Sequence, residues 1–183
     1  MEKTFWDAAE DDKVEKMKSI LRKNPSLNVN WMNEERKANA ALHAACAYGH
    51  SSVVSILLAH PNIDPSLKEM EGDTPFSTAC YHGSTSCVRL LLQDQRVMVN
   101  EPNNSGSTPL RWAAYGGQHD VIKLWIASGR EMNLGTPGDY QTDAIGTAKR
   151  GGQTEVVSPL ERFKSDPSKT RSEVRLELGI TTG

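Results

Sequence analysis

The stretch GDTPFSTACYHGSTSCVRLLL, residues 72–92, returns as GSTPLRWAAYGGQHDVIKLWI, residues 106–126. The offset is 34 residues, and Thr-Pro, a small residue, tyrosine, glycine and an aliphatic run all come back. A fixed period of this size marks a solenoid, in which each unit leaves an apolar face bare until a neighbour covers it.

Working outward from these two copies, the small residue that follows each start recurs as Ala45, Ala79, Ala113 and Ala148, spaced by 34, 34 and 35 positions. Ala8 precedes Ala45 by 37 and heads a divergent first copy. Four positions after the anchor stand Gly49, Gly83, Gly117 and Gly152, with Asp12 in that place in the first copy. A helix must stop there in a conformation that glycine adopts cheaply. Val53-Val54, Cys87-Val88, Val121-Ile122 and Val156-Val157 follow, and then Leu57-Leu58, Leu91-Leu92 and Trp125-Ile126. That is the stripe of a second, amphipathic helix.

Each unit therefore reads as a short helix opening at Thr-Pro, a glycine turn, a longer helix and a polar connection. Proline suits the first helical position, where its missing N–H has no partner to lose. Ala40-Ala41 in the second copy and Thr142-Asp143 in the last stand where the strong copies have Thr-Pro. Pro159 falls in the last second helix, where other copies have Ile56, Leu90 and Leu124. The final unit is accordingly expected to be the weak one.

With these motifs in place, residues 38–163 resemble the ankyrin-repeat family, whose pattern is G-x-T-P-L-H-x-A-A-x-x-G-H followed by a Val/Leu helix. The resemblance implies an all-α solenoid of about five helix-turn-helix repeats with protruding loops, whose usual work is binding proteins. It also implies that His43 and His50 are the structural histidines of the TPLH and GH signatures. The repeats are expected at about 1–34, 35–68, 69–102, 103–137 and 138–163, within a domain spanning 1–163. Residues 164–183 are expected to form a C-terminal helix and tail, either a cap or a linker. Asp166 would be its N-cap, Pro167 its first residue and Gly179 its stop, with Thr170, Val174 and Leu178 on one face.

Composition narrows the function. The net charge of −2 and pI of about 6.2 provide no basic field of the kind that gathers nucleic acid. No window approaches the roughly 18 apolar residues of a membrane span. The opening MEKTFWDAAEDDK carries five acids and does not read as a secretory signal, so a cytoplasmic or nuclear location is expected. Cys46, Cys80 and Cys87 form no CxxC pair, in keeping with a reducing compartment.

Nothing in the pattern converges on chemistry. His43, His50, His60, His82 and His119 lack metal-ligand spacing, and the glycine pairs lack the Lys and Ser/Thr of a phosphate loop. The expectation is a non-catalytic chain with no metal and no cofactor.

What remains is a surface. The two positions before the turn glycine read Ala47-Tyr48, Tyr81-His82, Tyr115-Gly116 and Arg150-Gly151, and in ankyrin-like stacks they face the concave side. Tyrosine and arginine are enriched in binding hot spots, although tyrosine there also packs against the next repeat. Loop tips add Arg36, Met70, Asp73 and Tyr140. Trp31 and Met70 either plug loop bases or offer exposed apolar contacts, while Trp112 and Trp125 are expected in the core. The expected protein-binding residues are Tyr48, Tyr81, His82, Tyr115, Arg111, Arg150, Arg36, Met70, Asp73 and Tyr140. The resulting expectation is a monomeric protein-binding module. The alternative is the regulatory or targeting part of a larger enzyme, for example a kinase.

Overall fold

The computed structural model describes residues 1–180, so residues 181–183 of the expected tail lie outside the described part. Eleven α-helices occur among the described residues, the first ten in antiparallel pairs. The pairs are α1 Glu2–Glu10 with α2 Val14–Lys23, α3 Ala41–Tyr48 with α4 Ser51–Leu58, and α5 Pro75–His82 with α6 Thr85–Gln93. They continue as α7 Pro109–Tyr115 with α8 His119–Ser128 and α9 Ala144–Arg150 with α10 Thr154–Ser165, and α11 spans Pro167–Glu177. Short strands β1 Met32–Asn33 and β2 Asn39–Ala40 make one antiparallel hairpin between the first two pairs.

The odd-numbered helices α1 to α9 pack successively into an inner row. Helices α2, α4, α6 and α8 form the outer row, which α10 and α11 close. This is the all-α solenoid that the period predicts. The inner row is tight because its anchors are alanines: Ala8, Ala45, Ala79, Ala113 and Ala148 are all fully buried. Between the rows lie Val53, Leu57, Val88, Leu91, Ile122, Trp125 and Leu160, also buried. Trp125 meets Phe76 edge to face at 4.9 Å, as core aromatic pairs prefer.

The turn chemistry follows the sequence closely. Gly49, Gly83, Gly117 and Gly152 have φ of 74°, 68°, 64° and 69°, and Asp12 takes φ 55° in the first pair. Thr74 and Thr108 cap α5 and α7 by accepting from Ser77 N and Arg111 N, with Pro75 and Pro109 at the first helical position. The last inner helix corrects the expected register by one residue. Asp143 is the cap, accepting from Gly146 N at 2.8 Å, so Asp143-Ala144 takes the Thr-Pro place and Thr142 lies before it.

At the C-terminal end, α11 has the expected Asp166 cap, Pro167 start and Gly179 stop. Thr170 and Val174 are buried, whereas Leu178 lies at the helix end and is exposed. Arg171 and Arg175 donate from Nε to the carbonyls of Ile126 and Ala127, at 3.2 and 2.8 Å. Those carbonyls belong to the last turn of α8, which has no intrahelical donors left for them. The helix therefore caps the stack, and the cap is both apolar and polar.

Pro159 does not break α10, which runs through it to Ser165 with Pro159 buried. The proline still removes one backbone donor and crowds the carbonyl of Glu155, a defect that costs about 3 kcal/mol in a regular helix. Pro159→Ala restores the donor without adding volume. It should raise the melting temperature by up to roughly 6–12 °C, since ~1 kcal/mol corresponds to about 2–4 °C at this size, less what is lost with the buried ring and the proline's restriction of the unfolded chain. An unchanged melting temperature, with amide exchange in α10 no faster than in α6, would show that the helix accommodates the proline without cost.

Candidate functional site

The inner row carries the face from which the loops rise, and its architecture is set from behind by the next repeat. His50, Gln118 and Gln153 each follow a turn glycine directly. Their side chains donate backwards, His50 Nε2 to Glu10 O at 2.9 Å, Gln118 Nε2 to Tyr81 O at 2.9 Å and Gln153 Nε2 to Tyr115 O at 3.4 Å. Each bond fixes a carbonyl near the end of the preceding inner helix, two of them belonging to groove tyrosines. A Cβ at Gly83 would collide with Gln118, and one at Gly117 with Gln153. Glycine serves these turns by its positive φ, and a Cβ there would push the glutamine off the carbonyl it holds.

Loop tips rise above one edge of this face and are locked to one another. Met70 N donates to Lys37 O at 3.1 Å, and Asn104 N to Glu71 O at 3.0 Å. Lys37 pairs with Glu71 at 2.7 Å. His43 joins helix to loop, with Nδ1 accepting from Ala40 N at 3.2 Å and Nε2 donating to Asp73 O at 3.0 Å. One ring nitrogen must therefore be unprotonated, and burial holds the pKa down to about 4.

A pocket of about 410 Å³ lies between these loops and the inner helices. Glu69, Glu71 and Asp73 stand on its loop side, and Tyr81, His82 and Trp112 on its helix side. The carboxylates lie within 4.8 Å of one another, the one such acidic cluster among the described residues. Each is already engaged. Glu69 accepts from the amides of Glu71 and Asp73, Glu71 meets Lys37, and Asp73 accepts from Ser77 Oγ and Asn103 Nδ2. Burial and the neighbouring carboxylates raise the Glu69 pKa, while burial lowers that of His82.

Beyond the pocket the aromatic surface continues. Tyr81 meets Trp112 edge to face at 5.4 Å and Tyr115 with nearly parallel rings at 6.5 Å, and Trp112 meets Tyr115 at 6.1 Å. Arg111 Cζ sits 4.6 Å from the Trp112 ring and 5.4 Å from that of Tyr115. Burial lowers the Arg111 pKa, and the charge of Arg150 acts in the same direction. Arg150 lies over Tyr140 at 4.6 Å.

The structure thus brings together Tyr81, His82, Tyr115, Arg111 and Asp73, with Arg150 and Tyr140 continuing the line. It separates the others. Tyr48, one residue later in register than Tyr81 and Tyr115, stacks on His50 at 5.8 Å and stands outside the aromatic cluster. Arg36 pairs with Glu10 at 3.3 Å and lies over Trp6, near the N-terminal end. Met70 is exposed at its loop tip, whereas Trp31 packs partly buried against the core. Trp112 corrects an expectation: it is not core like Trp125 but a half-buried wall of the groove. It follows Arg111 and lies on the helix side turned towards Tyr81. Its place on the groove side of α7 was the signal available in the sequence.

The comparisons agree with this architecture. A family model described as ankyrin repeats, in three copies, matches residues 5–97 and 62–136, and the chain belongs to that family. The match includes the divergent first pair and stops before α9, whereas the resemblance in sequence was placed at 38–163. Ankyrin repeats are generally protein–protein interaction modules and typically non-catalytic. No curated protein matches the chain. No helix among the described residues is long and apolar enough to cross a membrane.

His43 generates a pH prediction. Its folded pKa of about 4 lies below the ordinary 6.5, so between these values the unfolded chain takes up a proton that the native state refuses. Stability contributed by the neutral ring is complete above about pH 6.5 and is lost as pH falls towards about 4, on the order of 3 kcal/mol in all. His43→Gln, which cannot titrate, should lose less melting temperature than wild type between about pH 7 and pH 4.5. Parallel pH profiles would show that the ring is not held neutral.

Proposed function

We propose that the chain is a non-catalytic module that binds a partner protein through the concave groove, centred on Tyr81, Trp112 and Tyr115 and bordered by the loop tips. The observation that carries this reading is the exposure of the aromatic line. Tyr81 is 43% exposed and Tyr115 51%, although each stands at the end of a buried inner helix, and Tyr140, on its loop, is 70% exposed. Aromatic side chains held in fixed rotamers offer large area at little entropic cost on binding, and such groups dominate interface energetics. The tyrosine backbone carbonyls tied by Gln118 and Gln153 supply that rigidity.

His82, Asp73, Arg111 and Arg150 add polar groups along the same line, which would orient the partner. Arg36, Met70 and Tyr48 stand apart from it and would serve, if used, as peripheral contacts. The groove lies within one chain, so a monomer suffices for binding. A cytoplasmic or nuclear setting suits the three buried free cysteines, Cys46, Cys80 and Cys87.

Affinity capture from cell extract, comparing wild type with Tyr81→Ala, tests the proposal. The variant should retain its melting temperature while binding to the captured partner weakens by about 2 kcal/mol or more. Unchanged affinity, or a loss of binding that merely tracks a loss of folding, would place the tyrosines in packing instead.

A further inference from the structure

Arg111 occupies a position with a fixed structural task in two earlier repeats. His43 in α3 and Ser77 in α5 accept there from the cap amide, Ala40 N to His43 Nδ1 and Thr74 N to Ser77 Oγ. Arginine has five donors and no acceptor, so it cannot do the same. Its guanidinium instead lies across Trp112 and Tyr115 on the groove side.

The consequence is a pair of orphan donors. Arg111 Nε and Trp112 Nε1 are both buried and have no hydrogen-bond partner among the described residues. Buried polar groups in native structures are nearly always satisfied, so two neighbouring exceptions need a reason. Both are donors, and what satisfies them must be an acceptor.

Charge points the same way. Among the described residues neither Arg111 nor Arg150 forms an ion pair with a carboxylate, and Arg150 bonds only to Thr147 Oγ1, at 3.1 Å. Asp143, near Arg150, is occupied by the amides of Gly138 and Gly146, and the pocket's carboxylates, Glu69, Glu71 and Asp73, stand at the opposite end of the aromatic line. An acidic group is repelled there and drawn towards α7 and α9. The planar fork of arginine matches a carboxylate in two parallel bonds.

We propose that the groove over α7 and α9 receives an aspartate or glutamate carried on an extended segment of the partner, with Arg111 as its main contact and Arg150 beside it. This rests on the reading of the groove as the binding surface. The incoming carboxylate accepts from the Arg111 Nη groups, which have no partner among the described residues and, unlike Nε, are not sealed from solvent, while neighbouring residues of the segment cover Tyr81 and Tyr115.

Short random peptides displayed on phage, selected against the intact protein, provide the probe. Selected sequences should share an Asp or Glu at one position. A synthetic peptide from the selection should bind roughly tenfold more weakly when that residue becomes Asn or Gln, and the loss should largely vanish on Arg111→Gln. Arg150→Gln, at an exposed position, gives a second variant with little risk to folding, and it should show a smaller shift of the same sign. Peptides lost on Tyr81→Ala but without a shared acid, or with an acid whose removal costs the same on Arg111→Gln, overturn this inference and leave the groove reading standing. A phosphoserine version that binds while the Asp version binds no better than its Asn counterpart overturns the carboxylate assignment. A selection yielding no peptide sensitive to Tyr81→Ala or Arg111→Gln counts against both readings.

Discussion

Close approach of one inner helix to the next is the constraint on which the structure depends. It is met by alanine at the same place in every repeat, Ala8, Ala45, Ala79, Ala113 and Ala148, with no side chain large enough to hold the helices apart. Interiors of this density leave little room for change, and a single added methylene at such a row forces backbone shifts. Each pair is then stable only through its neighbours, so stability accumulates along the stack and local defects stay local. The C-terminal helix belongs to the same scheme, because Arg171 and Arg175 satisfy carbonyls at the end of α8 that a terminal unit would otherwise leave to water.

The same close approach builds the groove. A residue following each turn glycine can reach the preceding inner helix only because the helices are near, and His50, Gln118 and Gln153 use that reach to hold its last carbonyls. Tyr81 and Tyr115 are therefore exposed in their rings and fixed in their backbones. The frame is shared by all repeats, whereas the side chains on it differ, and recognition resides in those differences. At one position the chain has His43, then Ser77, then Arg111: two that tie the loop or cap, and one that turns outward with its donors unfilled.

The fold was legible in the sequence because stacking repeats its demands every turn of the solenoid. The glycine positions, the Asp12 exception with its φ of 55° and the Thr-Pro helix starts are found where the period places them, and the last helix starts and stops at its own Asp166-Pro167 and Gly179 signals. Departures occur where the repeat is itself irregular. Counted back five positions from Ala148, as Thr74 and Thr108 lie from Ala79 and Ala113, the cap of α9 falls on Asp143 rather than Thr142, and the bond to Gly146 N agrees. The groove was partly legible. Tyr81 and Tyr115 could be placed by register, but the one-residue offset of Tyr48 sends its ring to His50. A tryptophan beside a buried alanine reads as core, yet its place three residues before Tyr115 puts Trp112 on the groove face of α7, where it meets Tyr81 and Arg111.

Hydrogen–deuterium exchange on the complex with a captured partner reads the binding surface without assuming any residue in advance. Protection on binding is expected in α5, α7 and α9 and in the loop around residues 69–73, with the outer helices α4, α6 and α8 unchanged. Protection confined to the outer row, with the inner helices and their loops exchanging as in the free protein, would contradict it.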